Sequence, residues 1–459
     1  MKSYHVTLFM AVALIGLGAY VYFIEMPTQR MEQETEARSR KLLPFDEREI
    51  SSLTLRADST EIVMESTGGR GWTIAAPLRA EADEREVQAL IRALATGTVQ
   101  RVVEETATAL APFGLDRPAT IITVTAGDRR ETYSIGDVGP LSSTLYVLRG
   151  SDQKVLLTDL APKDFLNKNL MSFRRKEIFR FDQKEIDRIR LTYPTTEIVL
   201  YQMDEKPKKK WKIRYPIEAE ADQTEVRTLL FRLEDLKALG IIDPGPERDA
   251  IAKKLGSPNV KVTVHAGDTD QVVKFYQPDP ASGEAFAETK PDAPIYRINP
   301  AAIRDLTKDL FALQDKRLLG MEFPEIAMLS VKTRDEHYVL IHQNSEWVLE
   351  DEPAAKLNQE TADLFVSRVV NLPAEERVLK QAGQLASYGL VAPTAEFIAT
   401  GKDGKIGGKL ALGKQVGGLV YAIGQRLPGI YQVRADILTQ VPSRKDLVAK
   451  SERADGIVR

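Results

Sequence analysis

Histidine is the side chain in this sequence with the widest chemical use, because near neutral pH it serves as an acid, a base or a metal ligand. The chain has four histidines: His5, His265, His337 and His342. His337 and His342 are five residues apart in a strand-like stretch, so strand alternation predicts that they point to opposite faces and do not share a metal ion. None of the four lies in a recognisable nucleophile motif. The sequence therefore indicates no histidine-based active site.

Other catalytic chemistries are equally unsupported. The chain has no cysteine, which excludes disulfides, thiolate nucleophiles and cysteine metal sites. A phosphate-binding loop needs Ser or Thr after Gly-Lys, but the four Gly-Lys pairs precede Asp403, Ile406, Leu410 and Gln415. Carboxylates are abundant, and a buried pair is able to act as acid and base, but the sequence does not single one out. We predict a protein that is not an enzyme, with no catalytic, cofactor-binding or metal-binding residues and no cofactor.

The charge balance argues against nucleic acid as a partner. Formal net charge is −3, so no overall electrostatic attraction to phosphate backbones exists. The densest basic run is Lys206–Lys210, interrupted by Pro207. It lies between two strand-like stretches, and we interpret it as a solvated hairpin turn.

A membrane anchor is predicted near the start of the chain. Val6–Ile24 has 19 residues without a charge, which at about 1.5 Å per helical residue nearly spans a hydrocarbon core of roughly 30 Å. Lys2 precedes it, which favours a cytoplasmic amino terminus. We predict a single-pass protein of the inner (cytoplasmic) membrane, with the bulk of the chain periplasmic or extracytoplasmic. Cleavage as a signal peptide after Gly16–Ala19 is the alternative.

Three tryptophans reveal an internal repeat. Trp72, Trp211 and Trp347 are 139 and 136 residues apart, and each is predicted to begin a short strand. Each is followed by a proline and, eleven residues on, by a helix-capping residue; these are Pro77 with Asp83, Pro216 with Asp222, and Pro353 with Asn358. A ring that stacks on sugars or bases must be exposed. A tryptophan at a strand start once per unit indicates a core position instead.

The segment after each cap is predicted to be an amphipathic helix. Apolar residues recur at i, i+3, i+4 and i+7, which makes one buried stripe; they are Val87, Leu90, Ile91 and Leu94, then Val226, Leu229, Leu230 and Leu233, then Ala362, Phe365, Val366 and Val369. Glu86 and Glu225 stand three residues after their caps and predict capping boxes. The third helix has Thr361 there, which predicts a weaker cap.

Alternating apolar residues around these helices predict strands, as in Ile122, Val124 and Ala126 before the turn Gly127-Asp128. We predict an α+β fold with three tandem repeat units of mostly antiparallel sheet with packed helices, after one transmembrane helix. The predicted divisions are 1–25 cytoplasmic tip and transmembrane helix, 26–48 juxtamembrane stalk, 49–182, 183–322 and 323–450 as repeat units, and 451–459 as a tail. The third unit is the divergent copy, where we would first seek a separate function.

Several motifs together resemble a known family. They include Leu42-Leu43-Pro44-Phe45, Gly71-Trp72-Thr73-Ile74, Phe113-Gly114-Leu115-Asp116, Ile135-Gly136-Asp137 and Leu145-Tyr146-Val147. They resemble the bacterial domain of unknown function 4340 family, best over 42–180 and again over 186–320. The third unit departs by having Gly413-Lys414 in place of Gly-Asp. The resemblance implies a membrane helix, repeated α+β units and a neighbourhood of gliding-motility-type ABC transporter components, but no catalytic residues.

Three hypotheses of function follow. The first is a non-enzymatic membrane-anchored envelope protein that is an accessory or scaffold to an ABC-type transport complex, with sheet edges and clefts presented to transporter subunits. The second is a module that binds envelope glycan or lipid, which predicts an exposed aromatic or apolar cleft. The third is a hydrolase with two buried carboxylates facing one pocket, about 5–10 Å apart.

Overall fold

The computed structural model describes residues 40–57, 60–68, 71–205 and 208–448, together with Met10. Within these residues the strands form three sheets of nine, nine and eight strands, and helices pack on them. The predicted α+β class is confirmed. The predicted anchor Val6–Ile24, apart from Met10, the stalk as far as residue 39, and the tail 451–459 lie outside the described residues. Among the helices that are described, none has the length and apolar character to cross a membrane.

The chain divides into two compact units. Unit 1 holds the residues up to Ile178 together with Lys237–Asp243, and unit 2 holds Phe179–Leu236 and the residues from Pro244 onward. We call residues 42–173, 179–313 and 318–447 the first, second and third repeat, after the sheet that each contains. Residues 174–178 and 314–317 are the two connecting segments. The repeat boundaries from the sequence stay a prediction.

The first repeat packs one sheet against one long helix. Its strands have the order β4-β3-β2-β1-β6-β7-β8-β9-β5, so helix α1 (Glu84–Thr96) joins the two strands at opposite ends of that order. The four predicted apolar residues of α1 are buried in the core with those of the sheet. The strands are β1 (Ile50–Ala57), β2 (Thr60–Ser66), β3 (Trp72–Ala76), β4 (Ala80–Glu81), β5 (Val99–Glu104), β6 (Thr120–Ala126), β7 (Arg129–Val138), β8 (Leu145–Arg149) and β9 (Lys154–Thr158), and the short helices are α2 (Pro162–Phe165) and α3 (Leu170–Phe173).

The second repeat follows the same plan with one added helix. Its helices are α4 (Gln223–Glu234), α5 (Pro246–Leu255), α6 (Pro300–Leu306) and α7 (Leu310–Leu313). In unit 2 the strand order is β13-β12-β11-β10-β15-β16-β17-β18. The strands are β10 (Ile186–Thr192), β11 (Glu197–Glu205), β12 (Lys208–Tyr215), β13 (Ala219–Glu220), β15 (Val260–Ala266), β16 (Thr269–Tyr276), β17 (Ala285–Glu288) and β18 (Ile295–Ile298), while β14 (Gly240–Ile242) lies in the part of unit 1 that follows α4.

The third repeat has eight strands in the order β21-β20-β19-β23-β24-β25-β26-β22. The strands are β19 (Ile326–Thr333), β20 (His337–Gln343), β21 (Glu346–Leu349), β22 (Glu376–Leu379), β23 (Ala395–Gly401), β24 (Ile406–Val416), β25 (Leu419–Gly424) and β26 (Ile430–Arg434), and the helices are α8 (Gln359–Val370), α9 (Asp436–Thr439) and α10 (Arg444–Leu447). A counterpart of the two-residue strands β4 and β13 is not among its described strands.

Isolated β-bridges place connecting backbone beside both ends of the repeat helices. They are Lys41 with Thr98, Ala82 with Arg174, Glu177 with Lys237, Ala221 with Gln314, Arg317 with Pro373, and Leu357 with Val448. Backbone groups that would attract another strand are already bonded there.

The short helices α3 and α7 change how α1 and α4 are capped. Asp83 and Asp222 accept hydrogen bonds from the first-turn N–H groups of their helices, as predicted. The predicted capping boxes are wrong, because the N–H of each cap donates to the last carbonyl of a short helix, at 2.7 Å to Phe173 in α3 and 2.8 Å to Leu313 in α7. Glu86, freed from that role, instead accepts from Lys168 Nζ at 3.0 Å. Glu225 pairs in the same way with a lysine, Lys308, at 3.2 Å.

Candidate functional site

The tryptophans belong to the cores. Trp72, Trp211 and Trp347 are 8%, 6% and 2% exposed, so the prediction of a structural role is confirmed and they offer no stacking surface. Trp347 Nε1 donates to Asp363 Oδ1 at 2.8 Å. One detail differs from the sequence prediction. Trp211 is the fourth residue of β12, because Lys208 to Lys210 already pair with β11 and so belong to a strand rather than a turn.

The histidines are not brought together. His265 Nδ1 lies 2.8 Å from Asp187 Oδ1, His337 begins β20 and is exposed, and the ring of His342 packs 4.8 Å from that of Trp347. His5 lies outside the described residues. In the described ranges no cluster of three or more His, Asp or Glu side chains has metal-binding geometry.

A buried ion pair distinguishes the second repeat. Arg248 on α5 and Glu288 on β17 are both 9% exposed, and Arg248 Nη2 donates to Glu288 Oε1 at 3.1 Å. The other oxygen of Glu288 accepts from the Tyr276 hydroxyl at 3.2 Å. Burial, together with the charge of Glu288, raises the pKa of Tyr276 to about 12. This cluster is saturated with internal partners, as a structural ion pair requires.

A ring of four charges surrounds the second connecting segment in unit 2. Asp315 pairs with Arg317 at 2.6 Å and with Arg426 at 2.9 Å, while Glu322 pairs with Arg317 at 2.7 Å and with Arg426 at 3.6 Å. Burial alone would raise the pKa of Asp315, but the hydrogen bonds from Arg317 and the charge of Arg426 hold it below its usual value. Hydrogen bonds from Arg317 likewise lower the pKa of Glu322. Carboxyl groups held ionised in this way are poorly suited to donate a proton as a general acid.

An open cavity of about 890 Å³ lies on the second repeat within unit 2. We call it the aromatic groove and define it by Phe181, Lys184, Phe231, Glu234, Thr269 and Gln271, which line it. Phe231 lies on the outer face of α4 and is 53% exposed. Polar contacts join lining residues to one another, since the Arg180 N–H donates to Gln271 Oε1 at 2.8 Å and Gln183 Nε2 donates to Glu234 Oε2.

The corresponding place in the first repeat is filled. Phe45, like Phe181, stands five residues before the isoleucine that begins the first strand of its repeat. The guanidinium of Arg129 lies 4.9 Å from the centre of the Phe45 ring and also pairs with Glu49. Arg129 and Thr269 are the matching first residues after Gly-Asp turns. The second repeat therefore has a short side chain where the first has an arginine that covers the ring.

In the third repeat the counterpart of Phe45 and Phe181 is Met321. It stands five residues before Ile326, the first residue of β19, and is 9% exposed. It packs beneath Gly401 and Gly407, where any Cβ atom at Gly407 would collide with the methionine side chain. A smaller cavity of about 320 Å³ lies elsewhere in this repeat, at the end of α8. Two of its polar residues, Arg434 and Asp436, already pair with each other at 3.6 Å.

The aromatic groove was missed from the sequence, although a signal existed. Nine residues after the helix cap stands Arg92 in the first repeat and Phe231 in the second. Two arginines of the first repeat are thus replaced in the second, one by an exposed aromatic ring and one by Thr269. Aligning the repeats for their differences, rather than for their shared positions, would have pointed to this surface.

Comparison with known proteins adds a family and no function. No curated protein and no solved structure matches this chain. A match to a family model runs from Trp72 in the first repeat to Leu255 at the end of α5. Over residues 72–255 the chain matches the family model described as Domain of unknown function (DUF4340), which confirms the resemblance that the motifs of the first two repeats indicated.

Proposed function

We propose that this chain is a non-enzymatic, membrane-anchored envelope protein that serves as an accessory or scaffold to an ABC-type transport complex. In this proposal Val6–Ile24 anchors it in the inner membrane with the amino terminus in the cytoplasm, and the repeats lie on the periplasmic side. Its partners are the membrane and the transporter subunits.

The observation that carries the proposal is the way connecting segments bond to the repeats. In unit 2, segment 314–317 bridges to Ala221 on one side and to Pro373 on the other. The charge ring of Asp315, Arg317, Glu322 and Arg426 adds side-chain bonds to the same segment. Such bonding restricts the segment compared with a free linker, so it suits a body that must present surfaces at a constant spacing. The hydrolase hypothesis gains no support, because Asp315 and Glu322 are held as carboxylates by arginines.

The test is co-purification from native membranes. The full chain with a carboxyl-terminal tag, extracted in mild detergent, is expected to bring down ATPase and permease subunits of one transporter, identified by mass spectrometry. The matched control is the same chain without residues 1–25, which should leave the membrane fraction and lose those subunits. Recovery of the full chain alone, from membranes in which it stays resistant to alkaline extraction, would overturn the scaffold proposal while preserving the anchor.

A further inference from the structure

We infer that the aromatic groove of the second repeat is a binding site for a neutral oligosaccharide. This goes beyond the scaffold proposal and does not depend on it, because it concerns a ligand of one repeat rather than a transporter.

The first reason is the pair of aromatic rings. Phe231 is 53% exposed on a helix whose other face is buried in the core, and Phe181 lies in the same groove. A solitary exposed apolar residue is ordinary on a protein surface. Two rings around one cavity are different, since aromatic rings offer large, rigid apolar faces with few torsions to immobilise. The C–H faces of pyranose rings match such faces.

The second reason is the charge of the lining. Arg180 and Lys184 stand against Asp182, Glu185 and Glu234, so the opposite charges nearly cancel. A strongly anionic or cationic ligand would meet as much repulsion as attraction, and electrostatic complementarity favours an uncharged one. Hydroxyl groups both donate and accept hydrogen bonds. A rim that mixes cations, carboxylates and amides therefore suits a ligand rich in hydroxyls.

The third reason comes from the other repeats. Arg129 covers the Phe45 ring in the first repeat, and Met321, the counterpart of Phe181 in the third, is 9% exposed, so the fold does not require a cavity there. The volume of about 890 Å³ falls within the range of roughly 300–1,000 Å³ typical of ligand sites. The hydrogen bonds between the Gln271 side chain and the Arg180 backbone restrain these lining residues before any ligand arrives, which lowers the entropic cost of binding.

The test is a titration of the full chain in nanodiscs, because maltoside detergents would themselves compete. Cellohexaose, chitohexaose and maltohexaose serve as neutral probes, and hexaglutamate and an anionic sulfated hexasaccharide serve as charged ones, with binding followed by calorimetry and saturation-transfer NMR. At least one neutral probe is expected to bind, with the sugar C–H protons receiving saturation from aromatic protons.

Three variants sharpen the result. Phe231→Ala should weaken binding at least tenfold, and Thr269→Arg should do the same by covering Phe181 as Arg129 covers Phe45. Leu364→Ala is the matched control, because Leu364 is 50% exposed on α8 and lies outside the groove; it should bind like the parent chain. Each variant is first compared with the parent in thermal unfolding.

Two outcomes would overturn the inference. One is that no neutral probe binds; if a charged probe binds instead and is lost in both variants, the groove is assigned to a peptide or an acidic glycan. The other is that Phe231→Ala and Thr269→Arg, folded as stably as the parent, bind a neutral probe unchanged. Neither outcome bears on the transporter subunits recovered in the co-purification.

Discussion

The first and second repeats share a strand order, a long helix packed on the sheet and a buried tryptophan, but they differ at two matching positions. At one, Gly136 of the first repeat lets the carbonyl of Phe113 approach, and a Cβ atom there would collide with that oxygen. The second repeat has Tyr276 at this place and bonds its hydroxyl to Glu288. At the other, Arg129 covers Phe45 in the first repeat, whereas Thr269 leaves Phe181 beside an open cavity.

The difference teaches which positions the fold constrains. Core positions keep their apolar character in both repeats because their loss would cost packing energy. Positions at the rim have changed freely, including the charges of the connecting segments. Arg175 and Glu177 in the first segment correspond to Asp315 and Arg317 in the second, so the two signs are reversed. Arg175 pairs with Glu81 and Glu177, whereas Asp315 pairs with Arg317 and Arg426, so each segment forms its own ion pairs.

The largest effect is expected at the buried ion pair. Arg248→Leu should lower the free energy of unfolding of unit 2 by about 3 kcal/mol, because the buried Glu288 would keep only Lys274, at 3.7 Å, as a cation. The double variant Arg248→Leu/Glu288→Leu should cost less than the single one. Chemical denaturation measures both. A single variant as stable as the parent would show that the second repeat does not rely on this pair.

Gly136 of the first repeat matches Tyr276, the residue that donates to Glu288 in the second repeat, and it provides the comparison. Gly136→Ala should destabilise unit 1 by about 1–3 kcal/mol, since the added methyl group must displace the Phe113 backbone. If Gly136→Ala were neutral, the two repeats would not differ in the way proposed.

A smaller effect is expected in the second connecting segment. Arg317→Ala should cost about 1–3 kcal/mol at pH 7, because Asp315 and Glu322 lose their strongest partner. Both carboxyls have folded-state pKa values below their usual ones, so their contribution is fully present above about pH 5. It is lost as the pH falls through the lowered folded-state values. The stability difference between parent and variant should therefore shrink in acid, and a difference that grew in acid would contradict the argument.

The helix caps offer a comparison across all three repeats. Asp83→Ala and Asp222→Ala should each cost about 1 kcal/mol, because each carboxylate accepts from two N–H groups. Asn358→Ala should cost less, since Asn358 accepts from one. Equal losses at Asp222 and Asn358 would show that the number of bonds does not determine the strength of these caps.

The smallest effect is expected for Arg129→Thr, which gives the first repeat the residue found in the second. It should cost about 0.5–1 kcal/mol through loss of the ring contact and of an exposed ion pair. The ion-pair part should vanish at high salt, so Arg129→Thr and Glu49→Gln should become less different from the parent in 1 M NaCl. A large loss that salt did not reduce would mean that Arg129 supports the fold, which would weaken the comparison with Thr269.

Local patterns predicted much of the fold. The helices after Asp83, Asp222 and Asn358 lie where the apolar spacing predicted them, and each buries the predicted face. The turn at Gly127-Asp128 joins β6 to β7 as predicted. The errors arose where a group bonds to residues far away in the sequence. Glu86 was expected to accept from the Asp83 N–H at the start of its own helix, but that N–H donates to the Phe173 carbonyl.

The amino-acid sequence by itself determined the α+β class, the helix faces and the burial of the tryptophans, because these depend on spacing within a dozen residues. Only the tertiary structure decided that Arg248 meets Glu288, that Asp315 and Glu322 share two arginines, and that the place covered by Arg129 in one repeat is open in the next. Those contacts join residues from about 5 to over 100 positions apart along the chain, and whether two such residues meet depends on how every element between them packs.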